Sequence, residues 1–360
     1  PCAAAPKPIT AATLFTGTQI RALEWPSLTA QWLPVTKQCS RGQYAHQGLL
    51  LSTHAAGLAQ NTLVVADVKL PLRQATAGAD DKDNDGRPFL SVVRRLPVPA
   101  PVCRARHMPR DARHVAVATL GAGAAVLYTG VQQTLPTKDE QEAPTQTVQA
   151  TEQTAIRLGG YEGKQATCGL SWAPQQDGVL LAGGLDGTLC VWDVSASTAT
   201  SPPQPSPSGP AVVAPLMVEH GEPVSDACFH PRTPGLMGVV RGGVLELRDQ
   251  RAAKEAMVLR APAEERLCSV SFSSAQEQHV ATGSDRGHVH IWDTRMAGAP
   301  AHRFAGHRGA VLQVEWSPGM GGVVASTAED RRVLVWDTTR VGRPQSPDER
   351  AEGPPELLFV

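Results

Sequence analysis

The chain has 360 residues, 41% of them hydrophobic, and a formal net charge of −1 at pH 7. This charge gives no general attraction to nucleic acid or to an anionic membrane, and no run of about 18 apolar residues could span a bilayer. The length allows two average domains or one large all-β domain. The 33 glycines and 30 prolines indicate many turns, as short-stranded all-β folds require.

The first 20 residues predict an irregular segment. They contain Pro6, Pro8 and Gly17, which argue against a continuous helix, and no acidic residue. They lack both an initiator methionine and the apolar core of a signal peptide, so the chain looks like a fragment or a processed product. We expect residues 21–360 to form the folded domain.

A repeat with a period near 44 residues organises that domain. Six repeats begin near an aromatic residue or a histidine that precedes a proline or a small polar turn: Trp32, His107, Trp172, Phe229, Phe272 and Trp316. A Trp-Asp pair recurs 44 residues apart at positions 292 and 336, and Arg248-Asp249 stands another 44 residues back. We expect loop insertions at residues 73–88, 132–155 and 195–215, the last of them rich in serine, proline and threonine.

Short β-type runs bounded by glycine and aspartate fill each repeat. Residues 323–326 and 333–336 are such runs, separated by the turn residues 329–332. Four strands in 40–45 residues are typical of a propeller blade. The sequence therefore predicts an all-β WD-repeat β-propeller with six recognisable blades.

A hydrogen-bonded network is expected inside the blades, because buried polar groups need partners. In blade six an early histidine, a turn aspartate and a tryptophan ring fit this role at His307, Asp330 and Trp336. Blade three keeps Asp186 and Trp192 but has tyrosine at the histidine position. Blade five has Arg286 at the aspartate position, so weaker central blades are predicted.

Metal, cofactor and catalytic motifs are not found. The seven cysteines form no C-x-x-C pair, which argues against a zinc site and favours buried, reduced thiols. Residues 81–86 (DKDNDG) imitate a calcium-binding loop, but Val92 stands where the twelfth ligand should be. His288 and His290 share one strand face without a third ligand, and no nucleophile or acid–base pattern is present. We expect no enzyme activity, no cofactor and no metal.

Two segments carry a specific family resemblance. Residues 23–34 (LEWPSLTAQWLP) closely resemble the first strand of the retinoblastoma-binding and chromatin assembly factor small-subunit family of histone-binding WD-repeat proteins. Residues 304–360, with QSP at 345–347 and EGPPELLFV at 352–360, resemble the same family almost throughout. Such proteins are non-catalytic seven-bladed propellers, so the resemblance implies that the last blade is missing from this chain.

The resemblance also implies a histone H4 site. Family members hold the first helix of histone H4 between an N-terminal helix and an acidic Pro-Pro loop. That loop corresponds here to residues 348–355 and supplies Asp348, Glu349, Glu352, Gly353, Pro354 and Pro355. Its carboxylates would bind arginine and lysine of the histone, while its prolines pre-order the backbone. Arg350 is an opposing charge, and residues 1–20 are not expected to supply the helix.

A second family surface has lost charge. Family members bind basic peptides, such as the histone H3 tail, on an acidic top face before the inner strands. Here those places hold Pro101, the neutral residues 165–167, Ser225 beside Asp226, and Gly309-Ala310. We therefore expect little binding of the H3 tail.

The leading hypothesis is a nuclear histone-binding scaffold or chaperone. Its expected partners are histone H4, alone or with H3, and subunits of chromatin assembly, deacetylase, remodelling or Polycomb-type complexes. Neither sequence-specific nucleic acid binding nor a membrane is expected. An alternative is a substrate receptor of a cullin–RING ubiquitin ligase, because residues 292–295 form a W-D-x-R motif in which Arg295 would contact the adaptor. A third reading is a diverged paralogue that has lost histone binding.

Overall fold

A computed structural model describes most of the chain, which divides between Gly221 and Glu222 into two compact units. The described residues are 23–38, 44–55, 57–71, 89–120, 125–131, 146–147, 155–160, 166–195, 212–251, 257–296 and 298–359. The expected irregular segment 1–20, the insertion 73–88 and the calcium-like residues 81–86 lie outside them.

The N-terminal unit consists of three sheets. Its strands are β1 (Ala30–Gln38), β2 (Tyr44–Ser52), β3 (Asn61–Pro71), β4 (Leu90–Val98), β5 (Val102–His107), β6 (Val115–Thr119), β7 (Ala125–Tyr128), β8 (Gln146–Thr147), β9 (Ala155–Leu158), β10 (Ala166–Trp172), β11 (Val179–Gly184), β12 (Leu189–Asp193), β13 (Val212–Val213) and β14 (Met217–Glu219). Blade one is β1-β2-β3-β4, blade two β5-β6-β7-β9 and blade three β10-β11-β12-β14, each antiparallel.

Two short strands add to the outer edges of blades one and two. Strand β8 pairs in parallel with β4, and β13 pairs in parallel with β9. They lie within the predicted insertions 132–155 and 195–215, so parts of these segments return to a neighbouring sheet. Both cover a strand edge that would otherwise present unpaired backbone groups.

The C-terminal unit also consists of three four-stranded antiparallel sheets. Its strands are β15 (Val224–Phe229), β16 (Leu236–Arg241), β17 (Val244–Asp249), β18 (Met257–Arg260), β19 (Leu267–Phe272), β20 (His279–Ser284), β21 (His288–Asp293), β22 (His302–Ala305), β23 (Val311–Trp316), β24 (Val323–Ala328), β25 (Val333–Asp337) and β26 (Leu357–Phe359). Blade four is β15–β18, blade five β19–β22 and blade six β23–β26. Two 3-10 turns (Pro262–Glu264 and Thr338–Arg340) and one helix, α1 (Pro347–Glu352), complete the unit.

Six blades and an all-β fold confirm the architecture predicted from the repeats. Each predicted repeat start lies in the first strand of its blade. Two of these aromatic residues also bond to the preceding blade: the indole nitrogens of Trp172 and Trp316 donate to the carbonyl oxygens of Arg106, at 2.9 Å, and Ser271, at 3.1 Å. The sequence marks therefore identify the positions at which one sheet is joined to the next.

Apolar side chains from facing sheets form the cores. One cluster joins blades one and two, a second joins blades two and three, and further clusters join four to five and five to six. Trp192, Trp292 and Trp336 are among the largest fully buried side chains. Cys103 and Cys190 are buried free thiols, whereas Cys228 and Cys268 are only half-buried.

Candidate functional site

The acidic Pro-Pro loop, residues 348–355, lies between the third and fourth strands of blade six. After β25 the chain makes the 3-10 turn, which Asp337 caps by accepting from the backbone N–H of Thr339 at 2.9 Å. The chain returns to the sheet at β26, where the N–H of Asp337 donates to the carbonyl of Glu356 at 2.7 Å. Both ends of the loop are thus fixed to β25.

Helix α1 begins with a capping box. Ser346 Oγ accepts from the backbone N–H of Glu349 at 3.3 Å, and the Glu349 carboxylate accepts from the backbone N–H of Ser346 at 2.8 Å. Pro347, the first helical residue, has a backbone torsion already suited to a helix. The hydrogen bonds from Ser346 hold the pKa of Glu349 below its ordinary value. Glu349 is therefore charged and also orders the helix.

The turn after α1 requires a glycine. Gly353 has φ +139°, a conformation that residues with a side chain rarely adopt, and its carbonyl accepts from Gln345 Nε2 at 2.9 Å. The carbonyl of Pro354 accepts from the N–H of Leu357 at 3.0 Å. Pro354 is exposed, so the ordered turn presents a rigid apolar edge beside the acidic helix.

The charge of the loop is mainly at its start. Asp348 and Glu349 lie in the first turn of α1, Asp348 is exposed, and Arg350 follows in the last turn. The side chain of Glu352 lies outside the described part of the structure. The arrangement offers two carboxylates and a proline edge to a cationic helix.

Blade six contains the expected network, with one additional member. His307 Nδ1 lies 3.1 Å from Asp330 Oδ2, and its Nε2 lies 2.8 Å from Ser326 Oγ. The same hydroxyl accepts from Trp336 Nε1 at 2.9 Å. Ser326 was not identified from the sequence, because a serine on a strand has no distinguishing pattern.

Blade three uses other partners. Trp192 Nε1 donates to the carbonyl of Gly159 at 2.9 Å. Asp186 accepts from the backbone N–H of Thr188 at 3.1 Å and from its hydroxyl at 2.6 Å. The hydroxyl of Thr188 also lies 3.2 Å from His220 Nδ1.

Blade five carries a buried carboxylate that the sequence reasoning missed. Glu265 Oε2 lies 2.9 Å from His290 Nε2, and Oε1 lies 3.2 Å from His288 Nδ1 and 2.7 Å from Arg303. Trp292 meanwhile donates to the hydroxyl of Thr282 at 2.9 Å. Glu265 thus provides polar pairing in the blade whose turn position holds Arg286.

The two histidines of blade five do not converge on a metal. His288 and His290 direct ring nitrogens at the carboxylate that also binds Arg303. Within the described ranges no group of three or more histidine, cysteine, aspartate or glutamate side chains could hold a metal ion. Over those same residues no helix is long and apolar enough to cross a membrane.

Asp226, placed on the top face by the sequence, is buried. Its carboxylate accepts from the backbone N–H groups of Ala227 at 2.9 Å and Val270 at 3.0 Å, so it joins blade four to blade five. It therefore adds no charge to that surface.

Arg295, the candidate ligase-adaptor contact, is held by its neighbour Asp293. Its Nε and Nη2 both bind this carboxylate, and the bond lowers the pKa of Asp293 to about 2. The same Asp-x-Arg geometry joins Asp249 to Arg251 in blade four, which lacks the tryptophan. The geometry is thus a repeated local pairing, and nothing in it singles out Arg295.

Comparison with known proteins agrees with the residue-level resemblance. A family model that describes the histone-binding protein RBBP4 and its counterpart in the CAF1 complex matches residues 11–72. The model of the WD domain, G-beta repeat, matches residues 158–193, 254–293 and 298–337.

Three similar proteins share the name histone acetyltransferase type B subunit 2. The Schizosaccharomyces pombe protein is 31% identical over 358 residues, which cover 94% of this chain and 77% of the relative. The Eremothecium gossypii protein is 30% identical over 344 residues, covering 94% and 72%. The Debaryomyces hansenii protein is 28% identical over 355 residues, covering 94% and 77%. The chain therefore belongs to the RBBP4-like family of histone-binding WD-repeat proteins, together with the histone acetyltransferase type B subunit 2 proteins.

Proposed function

We propose that this chain is a non-enzymatic, nuclear histone-binding scaffold that contacts histone H4 through the acidic Pro-Pro loop. The observation that carries the proposal is the capped helix α1, which presents Asp348 and Glu349 next to the ordered Gly-Pro-Pro turn. The match of residues 11–72 to a histone-binding family model supports the same class of ligand.

The loop has the chemistry to bind a cationic helix. Arginine and lysine form charge-assisted hydrogen bonds with carboxylates, and these are shorter and stronger than neutral ones. The capping box, the bond from Gln345 to Gly353 and the fixed β26 end all reduce the freedom of the loop before binding. Less conformational entropy is then lost when histone H4 docks.

The names of the relatives suggest which complex to test first. Because each is named as a subunit of a type B histone acetyltransferase, we propose that this chain serves the same kind of complex. Assembly, deacetylase, remodelling and Polycomb-type complexes are further candidates from the family resemblance. Co-purification of a tagged chain with an acetyltransferase subunit from nuclear extract would support this assignment, and recovery of none would contradict it.

Binding to a peptide of the first helix of histone H4, measured by calorimetry, tests the loop. Asp348→Asn combined with Glu349→Gln removes two charges but leaves an acceptor for the capping box. We expect about tenfold weaker binding, since charge-assisted bonds are replaced by neutral ones. The matched control is Glu315→Gln, an exposed glutamate on β23.

The control should bind as the unaltered chain does. Unchanged affinity in the double variant would remove the loop from the account. Equal weakening in Glu315→Gln would show a general charge effect and would likewise contradict a local site.

A further inference from the structure

Five exposed arginines lie at one edge of blades five and six. They occupy the loops that precede the first strands and the turns between the second and third strands: Arg266, Arg286, Arg308, Arg331 and Arg332. We call this surface the arginine edge.

Hydrogen bonds connect the loop and the turn of blade five. The backbone N–H of Arg266 donates to Asp285 Oδ1 at 3.1 Å, and the N–H of Asp285 donates to the carbonyl of Arg266 at 2.9 Å. Arg286 is the next residue of the turn, so it lies beside this connection.

A close approach joins blade five to blade six. A methyl group at Gly287 would lie only 2.5 Å from the carbonyl oxygen of His307, so the Arg286 turn packs against the loop that carries Arg308. In blade six, Asp330 accepts from the backbone N–H groups of Arg308 at 2.9 Å and Arg332 at 3.1 Å. The five positions are thus linked turn by turn into one surface.

The guanidinium groups are uncompensated over the part of the chain that the structure describes: none of the five has a hydrogen bond or an ion pair there. The nearby buried carboxylates are already engaged, Asp330 by His307 and Glu265 by His290 and Arg303. Exposed or half-exposed carboxylates on the same loops are Glu264, Asp285 and Glu329. Five cations therefore face three carboxylates.

One of these arginines occupies a position suited to glycine. Arg331 has φ +64°, and the matching turn positions of blades three and five hold Gly187 at φ +83° and Gly287 at φ +81°. A side chain in this region of backbone space is strained. Blade six thus carries an extra cation at the edge where glycine would fit without strain.

We propose that the arginine edge binds a carboxylate-rich peptide segment of a partner protein. Guanidinium groups bind carboxylates through two parallel hydrogen bonds, and separate arginines suit separate acidic side chains. A nucleic acid is disfavoured because Glu264 and Glu329 would repel a continuous phosphate backbone. The site lies at the opposite end of β25 from the acidic Pro-Pro loop, so it is independent of histone H4 binding.

Fluorescence anisotropy of a labelled ten-residue peptide of alternating glutamate and glycine, at about 50 mM salt, tests the proposal. The full chain is compared with the Arg308→Glu, Arg332→Glu double variant and with an Arg308→Gln, Arg332→Gln variant. The control is Arg343→Glu, an exposed arginine beyond the other end of β25. We expect about tenfold or greater loss with glutamate, a smaller loss with glutamine, and none in the control.

Four results would overturn the proposal. They are absence of binding by the unaltered chain, equal loss in Arg343→Glu, unchanged binding in the double variants, and tighter binding of a single-stranded DNA of equal charge. The last result would identify a nucleic acid as the ligand. Thermal unfolding of each variant verifies that the fold persists, and the glutamine pair provides the answer if charge reversal destabilises the blade.

Discussion

The hydroxyl of Ser326 accepts a hydrogen bond from the indole nitrogen of Trp336 at 2.9 Å. The same hydroxyl lies 2.8 Å from Nε2 of His307, whose Nδ1 lies 3.1 Å from Asp330. A single donor direction satisfies all four groups: indole to hydroxyl, hydroxyl to Nε2, and Nδ1–H to carboxylate. Ser326 is therefore the central member of the blade six network.

Replacing Ser326 by alanine should destabilise the chain by about 2–3 kcal/mol, because two buried polar groups lose their partner. Urea unfolding followed by tryptophan fluorescence measures the change. Ser326→Thr is the control, since blade five has Thr282 bonded in the same way to Trp292. A loss in alanine no larger than that in threonine would contradict the central role of this hydroxyl.

His290 predicts a loss of stability in mild acid. Burial lowers its pKa below the ordinary 6.5, although the hydrogen bond and charge of Glu265 act in the other direction. The unfolded chain therefore takes up a proton first, so stability falls as the pH drops below about 6.5. Chemical unfolding of the unaltered chain and of His290→Gln at pH 7.5, 6.5 and 5.5 measures the two slopes. The variant should have the shallower slope, and parallel slopes would refute the assignment.

Glu265 contributes in a separate pH range. Burial raises its pKa, but hydrogen bonds from Ser284 and His290 and the histidine charges lower it more, so it lies below the ordinary 4.5. Its stabilising contribution is complete above that pH and is lost as the pH falls through the lower, folded value. The two groups are therefore distinguishable in one titration.

Ser346→Ala tests whether order in the acidic Pro-Pro loop matters for binding. The change removes the cap but no charge, and loss of an N-cap serine costs about 1 kcal/mol of helix stability. We expect faster amide hydrogen exchange in α1 and about fivefold weaker binding of the histone H4 peptide. Faster exchange with unchanged affinity would mean that the charges bind without pre-ordering.

Gly287→Ala should be far more harmful than Gly57→Ala. Gly57 has φ +83° and Gly287 has φ +81°, but a methyl at Gly57 would meet nothing within 4 Å, whereas at Gly287 it would strike the His307 carbonyl. The strain of positive φ alone costs about 1–2 kcal/mol. Thermal unfolding midpoints should separate this shared strain from the additional clash, and equal midpoints would argue against close packing of blades five and six.

Local patterns were sufficient to predict the blades, because tryptophan and turn residues recur in each one. The capping box was also visible as Ser346-x-x-Glu349, although we assigned Glu349 only to histone contact. Residues such as Glu265 were not predictable, since its partners on β21 and β22 lie 23 to 38 residues away. Asp226 was misplaced for the same reason: its bond to Val270 depends on packing between sheets.

The indole bonds of Trp172 and Trp316 affect how the molecule opens. Each one ends on a carbonyl of the preceding blade, so that blade cannot separate without leaving a polar group unpaired. Local opening should therefore involve adjacent blades as pairs, and their slowly exchanging amides would exchange at a common rate. A defect in one first strand would in this way be transmitted to its neighbour while more distant sheets remain closed.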